Sequence, residues 1–261
     1  MKCRHADVQK ILIVVVSIFV MHSTYAGVLE PKRTDPGVIK VDKDFRLDTD
    51  LGYLVNNSSS KNGNSKQDNL TAHILFQRVS DDWGQEFIAD AVSTHSDSTA
   101  QNLERYFVSG KILHHGENIV YRFGKITAEK DLTSIFDHQI TTSIGWGIDV
   151  LKSDRANLAF EMGGGYRYSR MQDPEENKAM HESTGTLAGF YSYKISPDIK
   201  FNQDISYELG KDSKVLRSRS ALSADLTKKI SAVASYSIKD VKAHEGDNKD
   251  SLLSLGLRYR Y

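Results

Sequence analysis

From residue 45 to the end of the chain, apolar side chains fall on every second position in runs of about ten residues. Phe45, Leu47, Leu51, Tyr53 and Val55 share one parity, opposite Arg46, Asp48, Asp50 and Gly52. Ile140, Ile144, Trp146, Ile148 and Val150 oppose Gln139, Thr141, Ser143, Gly145, Gly147 and Asp149. The closing run sets Ser251, Leu253, Leu255, Leu257, Tyr259 and Tyr261 against Asp250, Ser254, Gly256, Arg258 and Arg260, with Leu252 out of step. A period of two is the mark of a β-strand with one apolar and one polar face. The runs in the middle are less clean: Ile88, Val92, Phe107 and Leu113 fall on the polar parity. The parity of Ile119, Tyr121 and Phe123 is read as the apolar face, which puts Arg122 on the polar one.

About twelve such runs follow one another, each as long as a tilted strand needs to cross a hydrocarbon layer. Pro174 and Pro197 both lie between runs, where no ladder hydrogen bond is lost. The connections alternate in length. The stretches 56–67, 94–102, 127–137, 171–180 and 240–249 are long and polar, 210–213 is moderate, and those near residues 81–82, 114–118, 152–155, 196–198 and 228–229 are short, so the alternation has few lapses. Short turns on one side and long loops on the other predict an all-β, transmembrane, antiparallel up-and-down barrel of about 12 strands. Closure pairs the Phe45 run with the Leu253 run, because an unpaired strand edge is costly in lipid. An even strand number puts both ends of the barrel chain on the short-turn side, the periplasmic one.

The one long apolar run, residues 11–21, is too short to span a bilayer comfortably. Lys2, Arg4 and Lys10 precede it and Thr24-Tyr25-Ala26 follows. That arrangement predicts a secretory signal peptide over residues 1–26, cleaved after Ala26. Residues 27–43, with Pro31 and Pro36, read as a periplasmic linker. The barrel then occupies residues 44–261.

Composition narrows the chemistry. Mean hydropathy is −0.45, which excludes a bundle of transmembrane helices. Cys3 is the only cysteine and lies in the leader, so the exported chain has no disulfide and no thiolate zinc site. Removing Lys2, Arg4, Lys10 and Asp7 leaves 31 basic against 33 acidic residues, and no basic cluster points to nucleic acid.

Two sets of residues carry a resemblance. Ser254-Leu255-Gly256-Leu257-Arg258-Tyr259-Arg260-Tyr261 resembles the C-terminal signal of outer-membrane barrels: a polar residue, a glycine two positions on, and aromatic residues at the last and third-last positions. The resemblance implies that Ser254, Gly256, Tyr259 and Tyr261 are read by the barrel assembly machinery. Tyr121-Arg122-Phe123-Gly124, Gly145-Trp146-Gly147, Lys152-Ser153-Asp154-Arg155 and Glu161-Met162-Gly163-Gly164-Gly165-Tyr166-Arg167-Tyr168 resemble the salt-induced outer membrane protein family, a family of unknown function. That second likeness covers most of residues 45–261. It implies an outer-membrane barrel in contact with lipid and lipopolysaccharide, and no established activity.

Candidate chemistry lies on the polar face. Arg46, Asp48, Asp50, Arg122, Asp149, Glu161, Arg167, Asp204, Glu208, Arg217, Arg219, Arg258 and Arg260 are its candidate lumen charges. They would either line a narrow passive channel or cross-link a filled polar core, as in a structural envelope protein. Glycines 145, 147, 163 and 165 would let such partners approach. An outer-membrane enzyme acting on lipid or lipopolysaccharide is the alternative. His181-Glu182-Ser183 puts a base and a nucleophile on one strand face, a pattern of low specificity. A periplasmic ligand-binding barrel is a third reading. The remaining histidines have no metal spacing, and Gly163–Gly165 lies within a strand rather than before a helix, so no cofactor or metal is implied.

Overall fold

The computed structural model describes residues 45–60, 63–80, 82–96, 103–115, 119–132, 134, 136–171, 179–244 and 246–261. The signal peptide, Ala26 and the linker over 27–43 lie outside the described residues. Twelve strands run in order: β1 (Phe45–Ser60), β2 (Gly63–Ser80), β3 (Trp83–Ser96), β4 (Leu103–His115), β5 (Val120–Asp131), β6 (Phe136–Lys152), β7 (Ala156–Met171), β8 (Ala179–Ser196), β9 (Ile199–Gly210), β10 (Ser213–Asp225), β11 (Ile230–Ala243) and β12 (Gly246–Arg260). Each pairs antiparallel with its sequence neighbours, and β1 pairs with β12 to close the barrel.

The period-two pattern becomes an inside and an outside. Leu51, Ile74, Val108, Ile126, Ile144, Trp146, Met162, Leu187 and Leu257 point outward as a continuous apolar belt; Ile144 is 74% exposed. Aromatic residues border the belt at both rims. Phe45, Trp83, Tyr259 and Tyr261 mark the end where β1 begins, hereafter the terminus end. Phe45 stacks on Tyr261 with ring centroids 6.2 Å apart. Tyr53, Tyr106 and Tyr166 mark the opposite, loop end. An apolar outside with aromatic rims is the profile of a sheet that meets lipid.

Two expectations are corrected. First, β11 and β12 stay paired through Asp240↔Lys249 and Ala243↔Gly246, so most of 240–249 is ladder rather than loop; in the same way β1 and β2 stay paired through Ser58↔Ser65 and Ser60↔Gly63, across most of the polar stretch 56–67. Its serines and asparagines satisfy the backbone by pairing and need no apolar face. Second, β5 is phased the other way. Tyr121 and Phe123 are buried inside the barrel, while Val120, Arg122 and Ile126 face out. Glycines on β6 and β7 create the room: a Cβ at Gly147 would land on the Tyr121 ring, and one at Gly145 on the tip of Phe123. The two aromatic rings thus take the space that side chains at 145 and 147 would fill.

Candidate functional site

The described inward side chains lie in layers along the barrel. At the loop end Phe136, Met171, Val215 and Val241 form a buried apolar cap. One inward position below Val215 and Val241, respectively, lie Arg217 and Lys239, members of a chain of alternating charge. Glu182 accepts from Arg167 at 2.8 Å, and Arg167 reaches Glu208 at 3.0 Å. Glu208 accepts from Arg217 at 2.9 Å, and Arg217 reaches Glu129 at 2.9 Å. Glu129 and Asp131 share the Lys239 ammonium at 2.5 and 3.0 Å, and Asp131 forms an ion pair with Arg105, Oδ1 to Nε 2.8 Å. The eight members are four acids and four bases, so the chain is formally neutral. They come from β4, β5, β7, β8, β9, β10 and β11, so the chain crosses the lumen from wall to wall. Arg105 and Arg167 are each 1% exposed. Buried charges of this kind persist only when each is paired and hydrogen-bonded. Ser213 completes the set: its hydroxyl lies 2.7 Å from both Arg167 Nη2 and Glu182 Oε1.

A second cross-lumen tie lies nearer the terminus end. Lys111 of β4 donates to Glu161 of β7 at 2.5 Å, and the Tyr121 hydroxyl donates to the same carboxylate at 2.7 Å. The Lys111 ammonium also sits 4.9 Å from the Phe123 ring centroid, within cation–π range. Leu75 of β2, Ile88 and Val92 of β3, Phe107 of β4 and Leu252 of β12 pack together inside the barrel. Ile88, Val92 and Phe107 of the middle strands and Leu252 of the closing one, all out of step with the alternation, serve this apolar patch of the lumen.

The β1–β12 seam carries its own charges. Arg258 grips Asp50 through two bonds, 2.6 and 2.7 Å. Asp48 is 0% exposed and is held by Arg46, with Arg260 3.6 Å away. Behind this clamp is a cavity of about 60 Å³ lined by Asp50, Thr71, His73, Asp90, Arg219 and Ser254, among others. His73 Nδ1 is hydrogen-bonded to Asp90 within it.

The candidate lumen charges therefore separate. Arg46, Asp48, Asp50, Arg258 and Arg260 gather at the seam; Arg167, Glu208 and Arg217 join the cross-lumen chain; Glu161 joins Lys111. Asp204 is buried, with Arg219 as its Cα partner across β9 and β10. Asp149 is half-buried at a register break in β6 and lines a small cavity of about 40 Å³ with Asn157, Ser192 and Asp204. Arg122 is corrected to the outside, close to the terminus end of β5, where a long cationic side chain can reach the head-group region. Of the His181-Glu182-Ser183 triplet, His181 and Ser183 face outward and only Glu182 faces the lumen. The His181 ring packs on Tyr166 and Tyr168 at 6.0 and 5.0 Å. Among the described residues no group of three His, Cys, Asp or Glu side chains is arranged to hold a metal ion.

Sequence reasoning missed Glu129, Asp131, Glu182 and Lys239 as members of the charge chain. The signal was parity carried past the apolar run. Lys125, Thr127, Glu129 and Asp131 continue the phase of Tyr121, and Lys239 continues that of Ser231, Val233, Ser235 and Ser237.

The assembly-signal residues lie at and just above the closing ladder. Tyr259 and Tyr261 point outward, and Gly256 faces Gly52 across the seam. A Cβ at 256 would collide with the Leu51 carbonyl oxygen and the Gly52 Cα. Ser254 lies just above the ladder and bonds to Thr71 inside the barrel, oxygen to oxygen at 3.1 Å.

Comparison with known proteins gives relatives of similar length. The chain is 24% identical over 227 residues to the uncharacterized protein YdiY of Escherichia coli (strain K12), with 85% of each covered. Its fold is similar to the COG4313 outer membrane channel from Pseudomonas putida F1, with a TM-score of 0.49, 10% identity, and 87% of this chain and 99% of that one covered. It is also similar to the translocator domain of the autotransporter NalP from Neisseria meningitidis, with a TM-score of 0.47, 12% identity, and coverage of 98% and 96%. The model of the family described as "Protein of unknown function, DUF481" matches residues 58–261, and the chain belongs to that family.

Proposed function

We infer that this is an exported outer-membrane barrel with both ends of its chain in the periplasm and a lumen closed to solutes, a structural component of the envelope rather than an open pore. The observation that carries this reading is the neutral eight-member charge chain from Glu182 to Arg105, lying beneath an apolar cap. A selective pore presents charge to water along its wall. Here the opposite signs neutralise one another across the lumen, and their side chains occupy its middle. Small barrels commonly fill their interior in this way.

The outer belt supports contact with lipid and lipopolysaccharide, and the short turns at the terminus end support its placement in the periplasm. Assembly through the barrel machinery rests on the likeness of Ser254, Gly256, Tyr259 and Tyr261 to its recognition signal. An enzymatic reading is disfavoured by the packing of His181 against two tyrosine rings, with Glu182 directed to the other face.

Planar-bilayer recording tests the proposal. Purified barrel is expected to insert without resolved conductance steps at neutral pH. Regular steps from the unmodified chain would overturn the closed-lumen reading and restore the channel.

A further inference from the structure

β1 and β12 are paired over a shorter stretch than any other neighbours. Their ladder runs from Asp48↔Arg260 to Gly52↔Gly256, five Cα pairs, whereas β1 and β2 are paired over sixteen. The same register carried upward would set Tyr53 opposite Leu255. Among the described residues, β1 above Gly52 is instead paired with β2 alone, and β12 above Gly256 with β11 alone. Both strands continue well past that point.

The gap falls at membrane depth. A strand rising about 3.3 Å per residue and tilted by about 40° climbs roughly 2.5 Å per residue across an apolar band about 25 Å tall. With Tyr259 at the rim, Leu255 lies about 10 Å and Ser251 about 20 Å into that band. Unpaired backbone polar groups at that depth cost several kcal/mol each unless something satisfies them. Directly behind the gap lies the 60 Å³ luminal cavity, to which both seam strands contribute. The Thr71–Ser254 hydroxyl contact bridges Gly52 just above the last ladder pair, and the Arg258–Asp50 clamp closes the seam below it. The space that a Gly52 side chain would take is held by the Thr71 and Ser254 hydroxyls, which thus stand at the lower edge of the gap.

We propose that the upper β1–β12 seam is a lateral opening through which the hydroxylated head of a membrane amphiphile reaches the luminal cavity while its acyl chain stays in the bilayer. The seam backbone and the Thr71 and Ser254 hydroxyls both donate and accept hydrogen bonds, as does the head. The cavity admits only a few water-sized groups, which suits a glycerol-sized tip and excludes an oligosaccharide. The inference rests on the membrane reading of the barrel and is independent of whether the lumen conducts.

The test reconstitutes the full barrel in vesicles containing phosphatidylglycerol that carries a photoreactive diazirine on its head group. Heat-modifiable gel migration of the same sample establishes that the barrel is folded and inserted, which separates failure of the membrane reading from failure of this one. Labelling is expected at luminal Ser235, Ser237 and Ser254, mapped by mass spectrometry. The oxidised Tyr53→Cys/Leu255→Cys variant, stapled across the gap, is expected to lose at least tenfold of that labelling and to regain it on reduction. Labels confined to outward residues of the unstapled barrel would overturn the proposal, whether or not the staple forms. So would equal luminal labelling by a chain-free glycerol diazirine, or luminal labelling that survives a complete staple.

Discussion

Arg217 answers to carboxylates on two other strands, Glu208 on β9 and Glu129 on β5, each at 2.9 Å. Arg217→Ala would leave both acids buried with one fewer cation. Removing one partner of a buried ion pair typically costs about 3–5 kcal/mol, because the remaining charge is neither solvated nor paired. The urea unfolding midpoint of the folded barrel in detergent is expected to fall accordingly. Arg122 supplies the contrast. It faces outward near the rim, where a cation costs or contributes no more than about 1 kcal/mol. Arg122→Ala is expected to unfold within that margin of the parent in the same assay. Parity alone could not assign Arg122, because Tyr121 and Phe123 look like lipid-facing residues in a sequence. Only the paired strands reveal that Gly145 and Gly147 lie across from them and leave room inside.

The closing strand pair is the element on which the barrel depends. Gly256 and Gly52 face each other at the top of the β1–β12 ladder, and a side chain at 256 would strike the backbone of β1 itself. Backbone cannot swing aside as a flexible side chain can. Gly256→Val is therefore expected to abolish the heat-modifiable shift on gels, while Ser254→Ala, which removes one hydroxyl contact, keeps it. Replacing Tyr259 and Tyr261 by Ser is expected to leave export intact and reduce membrane insertion, read as the fraction resistant to carbonate extraction. Undiminished insertion would count against the assembly-signal role. Strand number and closure were legible in the sequence because the lipid-facing parity is enforced in nearly every strand. Strand ends were not: Ser58, Ser59 and Ser60 continue the β1 ladder with no apolar residue to mark the period. Apart from Arg122, the candidate charges were legible as inward. Their partners were not, because Arg217 and Glu129 are 88 residues apart and meet only when the sheet curves round on itself.

Across the whole molecule, the outside is set by the bilayer and the inside by neutralisation of charge. Arg167, Arg217, Lys239 and Arg105 alternate with Glu182, Glu208, Glu129 and Asp131, so this set carries no net charge with which to draw ions of one sign. On the closed-lumen proposal, the side chains of this set that span the lumen block the path. Replacing Glu129, Asp131, Arg217 and Lys239 together by Ala removes two charges of each sign and clears the link between β5 and the β10–β11 wall. The Glu129–Arg217, Glu129–Lys239 and Asp131–Lys239 pairs leave whole and Glu208 keeps Arg167, while Arg105 loses Asp131; replacing whole pairs is far less costly than breaking them. The fourfold variant is expected to stay folded, by heat-modifiable migration, and to show conductance steps in planar bilayers that the parent lacks. A folded fourfold variant that stays silent would assign closure to other layers, with the apolar cap of Phe136, Met171, Val215 and Val241 the next to remove.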